Sequence, residues 1–188
     1  MAHTSNLAGT SRTDYTELVN CLAIKHRKKE ALRCLMAGGF DTASALRAGL
    51  KDDNPDVRVG CCMVLDHFMI EAAVPELIEN LTHSDSSVRA WAIHTLACDR
   101  CKQGVCRPGE GDTVPMAIRM LQQDPSKGVR QMAAGMLGPS VHRSTDALVA
   151  LQKAHNEDPS PVVRKIAGWW IPGGICYNKL KPRTPRRL

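Results

Sequence analysis

A short phrase ending in Val-Arg recurs four times along this chain, each time after an acidic, turn-forming segment: Asp53-Asn-Pro-Asp-Val57-Arg58, Asp85-Ser-Ser-Val88-Arg89, Asp124-Pro-Ser-Lys-Gly-Val129-Arg130 and Asp158-Pro-Ser-Pro-Val-Val163-Arg164. The arginines are separated by 31, 41 and 34 residues. Self-similarity at such a period is the mark of stacked supersecondary units, none of which can bury its own apolar face alone. An upstream phrase repeats as well. Val74-Pro75 with Ile78 and Leu81 is echoed by Val114-Pro115 with Ile118 and Leu121, which is helical spacing with each proline read at a first-turn position.

Aligning the copies on the valine shows which positions face inward. Four residues on stand Cys61, Ala92, Ala133 and Ala167; seven on, Val64, Thr95, Met136 and Trp170; eight on, Leu65, Leu96, Leu137 and Ile171. Small, medium and large positions in one register predict a common packing surface, so each unit reads as helix, acidic turn, helix. The expected fold is all-α, a right-handed α-solenoid of about four helix pairs at 41–70, 71–100, 112–140 and 144–172. Residues 13–40 make an N-terminal helical cap closed by Gly38-Gly39. Residues 1–12 are polar and expected to be disordered, and 179–188 form a basic tail.

These units resemble the HEAT-repeat family, including its short bacterial variety grouped with phycobilisome-lyase repeats, through the Asp…Val-Arg phrase and the helix-pair period over about residues 41–172. The resemblance implies that Arg58, Arg89, Arg130 and Arg164, with Asp53, Asp85, Asp124 and Asp158, form an inter-repeat ladder. It is nearly silent on activity, because such arrays serve as scaffolds, partner-binding surfaces, chromophore lyases and DNA-repair modules.

The 41-residue interval is long because residues 98–111 interrupt the array. Cys98, Cys101 and Cys106 stand in C-x2-C-x4-C spacing, and His94 lies one helical turn before Cys98. In a reducing compartment such a cluster reads first as a metal site, since thiolate and imidazole at short spacing reach one ion around a tight turn. At about 100° per residue from Val88, His94 falls near 240°, Cys98 near 280° and Cys101 near 220°, whereas the core positions average near 20°. These residues are therefore not core filler. His67 occupies in the preceding unit the position of Cys98, ten residues after the valine, and is a candidate further ligand. Zinc in a closed site leads; an iron–sulfur cluster, drawing on Cys62 or Cys176, is the lesser option. A disulfide or redox switch is the alternative chemistry. Cys21, Cys34 and Cys61 read as packing residues, and Cys62 and Cys176 as candidate exposed thiols.

The net charge of +6 is unevenly spread: residues 1–40 carry +3, 41–178 carry −2 and 179–188 carry +5. Lys179, Lys181, Arg183, Arg186 and Arg187 are thus candidates for contact with an anionic partner, and Trp91 and Trp169 for an aromatic contact surface. The functional expectation is a non-enzymatic interaction or scaffold module that binds a partner protein. Nucleic-acid binding through the basic termini and tryptophans is the alternative, and a redox-active or lyase-type protein a more distant one. No Gly-rich phosphate loop, Gly-x-Ser-x-Gly elbow or His-Glu-x-x-His occurs. No apolar run approaches the roughly 20 residues of a membrane span, and the amino-terminal stretch lacks the pattern of an export signal, so a cytoplasmic location is expected.

Overall fold

The computed structural model describes residues 14–98 and 110–181. Asp14 caps α1 (Tyr15–Asn20) by accepting from the Thr16 and Glu17 N–H groups. A short 3₁₀ turn leads to α2 (Lys28–Gly38), which stops where Gly39 takes a φ of 53°. Four helix pairs follow: α3 (Ala43–Gly49) with α4 (Pro55–Leu65), α5 (Val74–Asn80) with α6 (Ser86–Ala97), α7 (Glu110–Gln123) with α8 (Lys127–Leu137), and α9 (Thr145–Glu157) with α10 (Pro161–Gly168). The second helices pack in series, α4 on α6, α6 on α8 and α8 on α10, while α1 and α2 cover the first pair. The result is an all-α solenoid. Pro115 departs from expectation: it lies inside α7, not in its first turn, because that helix already begins at Glu110. The ring removes the backbone donor that would otherwise bond four residues back within the helix.

The shared register makes the core. Cys61, Ala92, Ala133 and Ala167 are each 0% exposed, and small side chains there let neighbouring helices approach. Leu65, Leu96 and Leu137 fill the space beside them. Thr95 is also buried, its Oγ1 donating to the Cys62 carbonyl across the α4–α6 seam at 2.9 Å. At the far end, Trp170 lies over Gly138 so closely that a Cβ there would sit 2.1 Å from the indole.

An arginine ladder fastens the turns, with a register different from the one expected. Each arginine reaches back six residues to a carbonyl of its own turn: Arg58 to Asp52, Arg89 to His83, Arg130 to Asp124 and Arg164 to Asp158. Each of those four residues also accepts, through its side chain, the backbone N–H two positions on, at Asn54, Asp85, Ser126 and Ser160. Two arginines then grip the acid of the following repeat with two bonds. Arg89 holds Asp124 at 2.7 and 2.9 Å, and Arg130 holds Asp158 at 2.8 and 3.1 Å. Asp53 is not the first rung; Asp52 is. Asp85 is the N-cap of α6, and its repeat carries His83 at the ladder position. With no acid there, Arg58 turns to Asn80 Oδ1 at 2.8 Å, and Arg47 and Lys51 join the seam through the buried Glu76.

The chain does not pass directly into a tail after α10. A turn at Pro172-Gly173-Gly174 leads to α11 (Ile175–Leu180), whose Cys176 and Tyr177 N–H groups donate to the Trp169 carbonyl at 2.9 and 3.0 Å. His142 Nε2 donates to the Tyr177 carbonyl at 2.9 Å. Lys179 therefore belongs to a docked helix and not to a free basic tail. Among the described residues no helix is long and apolar enough to cross a membrane.

Candidate metal centre

Three side chains from two successive repeats converge where α4 and α6 end. Asp66 is the C-cap of α4, its N–H bonded to the carbonyls of Cys62 and Val64. His94 lies in the last turn of α6, and Cys98 is its C-cap, with its N–H on the His94 carbonyl at 2.8 Å. At Cys98 the backbone swings to an extended conformation, φ −79° and ψ 105°. One potential ligand atom from each of the three lies within 4.8 Å of the other two. Tetrahedral bonds of about 2.0–2.3 Å place ligand atoms roughly 3.3–3.8 Å apart, so small side-chain rotations separate this arrangement from coordination geometry.

The surroundings fit a metal. Asp66 is 4% and Cys98 8% exposed. His94 Nε2 is 3.2 Å from Asp66 Oδ2, while its Nδ1 is buried with no hydrogen-bond partner among the described residues. Trp91 stands edge-on to the imidazole at 5.3 Å between centroids and limits its rotation. A carboxylate, an imidazole and a thiol form a donor set of the hard-to-borderline-soft kind that zinc accepts.

Asp66 was invisible to residue counting from the valines, and His67 stood in its place. The helices differ in length: α4 has 11 residues and α6 has 12, so the structurally equivalent positions are their caps, Asp66 and Cys98. His67 is one step beyond, exposed and apart from the group. The sequence signal for Asp66 was an aspartate closing an otherwise apolar helix. Its flank, like that of His94, is buried because the second helices pack side by side. Cys101 and Cys106 lie outside the described residues.

Other candidates resolve differently. Cys62 is fully buried, so it is not an exposed thiol; burial pushes its thiol up to about 12, against the opposing Thr95 hydrogen bond and Arg58 charge. Burial likewise raises the Cys61 thiol well above its ordinary value. Cys34 is half-buried, with its Sγ 3.5 Å from Glu30 Oε1. Cys176 lies on α11 and shares with Cys98, Ala97, Met136, Trp170 and Leu180 the lining of an apolar groove of about 380 Å³. Trp91 and Trp169 are both partly buried against the core, and Lys165 Nζ lies 5.9 Å from the Trp169 ring centroid. Neither ring is free on the surface. Lys179 lines the groove rim and Lys181 follows α11, whereas Arg183, Arg186 and Arg187 lie outside the described residues.

Helix pairs in series, a shared small-residue lane and a ladder of turn arginines define a repeat α-solenoid. Residues 43–104 match the family described as HEAT repeats. It is also similar to a designed armadillo repeat protein solved in complex with the peptide (KR)4, at 19% identity and a TM-score of 0.48, covering 84% of this chain and 80% of that one. No curated protein matches the chain.

Proposed function

We propose that this protein is a non-enzymatic HEAT-repeat module that binds a partner protein and carries one zinc ion as a clamp between its first two repeats. The observation that carries the clamp is the convergence of Asp66, His94 and Cys98 from two different repeats, with a buried imidazole nitrogen left without a partner among the described residues. Cys98 as thiolate, neutral His94 and the Asp66 carboxylate would hold the ion, with Cys101 and Cys106 as further thiolate donors near in sequence. The ion would supply cross-linking and not chemistry: binding selects the folded arrangement, so its free energy adds to the stability of the seam. That seam is the one whose ladder lacks an acid. The partner-binding part rests on the repeat architecture, which offers continuous faces built from successive helices.

Elemental analysis of full-length protein purified without a metal-affinity tag tests the clamp. About one zinc per chain is expected, lost together with thermal stability in Cys98→Ser and Asp66→Asn and retained in His67→Ala. Absence of metal with a full count of free thiols overturns it. For the partner, cross-links of a purified interacting protein are expected on Lys165 and Lys179, with modest salt dependence. A steep loss of binding with salt points instead to a polyanion.

A further inference from the structure

The ladder has an unfilled end. In Arg89 and Arg130, Nη1 is held by carbonyls of the arginine's own turn, and this directs Nε and Nη2 at a carboxylate of the next repeat. Arg164 is held the same way, Nη1 on the Asp158 carbonyl at 2.6 Å, but its Nε and Nη2 meet no acceptor among the described residues. Asp158 is already engaged by Arg130 and by the Ser160 N–H. Guanidinium presents a planar two-donor fork that matches a carboxylate, and here the fork is fixed in advance by the turn.

The end is not shaped for another stacked repeat. Leu81 and Leu121 are buried at the point where a first helix meets the following repeat, but the corresponding residue of α9 is His155, exposed, with its ring over Gly168 and Nδ1 bonded to the Arg164 carbonyl. Nor does the chain offer a matching end for a second copy, because the unclaimed acid Asp52 belongs to the first pair, which α1 and α2 cover.

We propose that Arg164 is a docking point for an Asp or Glu side chain of a partner protein, received through Nε and Nη2 as Asp124 and Asp158 are received within the array. This rests on the partner-binding reading and gives that partner an acidic anchor.

The test is the side-chain Nε–H signals of the ¹⁵N-labelled full chain, titrated with the peptide Ac-Glu-Glu-Leu-NH2, its Gln-Gln counterpart and inorganic phosphate. The expected result is a saturable shift of the Arg164 signal with the glutamate peptide alone, toward the positions of Arg89 and Arg130, which do not move and report an intact fold. Arg164→Lys identifies the signal and is expected to weaken peptide binding several-fold. No saturable shift, or equal shifts at every exposed arginine, overturns the proposal. An equally strong response to phosphate also overturns it, in favour of a general anion site. The zinc and cross-linking experiments do not read Arg164, so this proposal and the broader reading fail separately.

Discussion

Asp124 and Asp158 show how a single side chain's environment becomes a property of the fold. Burial raises each carboxyl's pKa, but the paired arginine, the backbone N–H of Ser126 or Ser160 and the neighbouring arginine together outweigh it, leaving both below the ordinary 3.8. A carboxyl with a depressed folded value stabilises the protein above its unfolded pKa, and that contribution disappears as pH falls through the folded value. Stability from urea melts is therefore expected to be insensitive to these two groups down to about pH 4 and to drop below it. The drop should be shallower in Arg130→Ala. That substitution also removes one partner of a nearly buried pair, expected to cost about 3 kcal/mol, whereas Arg164→Ala is expected to cost less than about 1 kcal/mol in the same melts. Cys62 gives a second expectation: with its thiol at about 12, it resists iodoacetamide at pH 8 until the protein is unfolded, as counted by mass spectrometry. The arginines were legible because each recurs beside the same valine. Their true partners were not, since Asp52 and Asp53 are adjacent and only the turn's hydrogen bonds separate them.

At the scale of the helix, small residues decide how closely elements meet. Gly138 and Gly135 are three residues apart and predict opposite outcomes. A Cβ on Gly138 meets the Trp170 ring at 2.1 Å, and Gly138→Ala is expected to lower stability by about 1–3 kcal/mol. Gly135, inside α8, has nothing within 4 Å of such an atom, and Gly135→Ala is expected to raise stability by about 0.5–1 kcal/mol; thermal melts of the two variants check both. The helix pairs themselves were readable, because period and small-residue register are local properties. The caps were not. Whether α4 stops before Asp66 or His67 depends on how it packs against α6, and α11 forms because the Trp169 carbonyl receives its first turn. Asp66 entered the candidate metal centre, and Lys179 left the tail, for those two reasons.

Across the whole molecule the seams are not alike. The first joins its repeats through Arg58–Asn80, the Arg47–Glu76 pair and the Asp66–His94 contact, while the second and third use the same two-bond arginine–aspartate grip. If zinc clamps the first seam, a chelator should speed amide hydrogen exchange in α4 and α6 while leaving α9 and α10 nearly unchanged, because repeat arrays couple mainly to nearest neighbours. Equal acceleration throughout would locate the ion's effect elsewhere. The later seams have a different consequence. The 34 residues from Pro125 to Asp158 begin just after one gripped aspartate and end on another, with the gripping Arg130 between them. Such a stretch carries both the arginine and the aspartate of its own join, so a tandem copy of it would repeat that two-bond grip, but His155 would face the added helix where Leu121 now faces α9. Length, in this half of the array, is limited by one apolar contact and not by the polar join, whereas the half that holds the aspartate, histidine and cysteine would have to duplicate a join of a different kind.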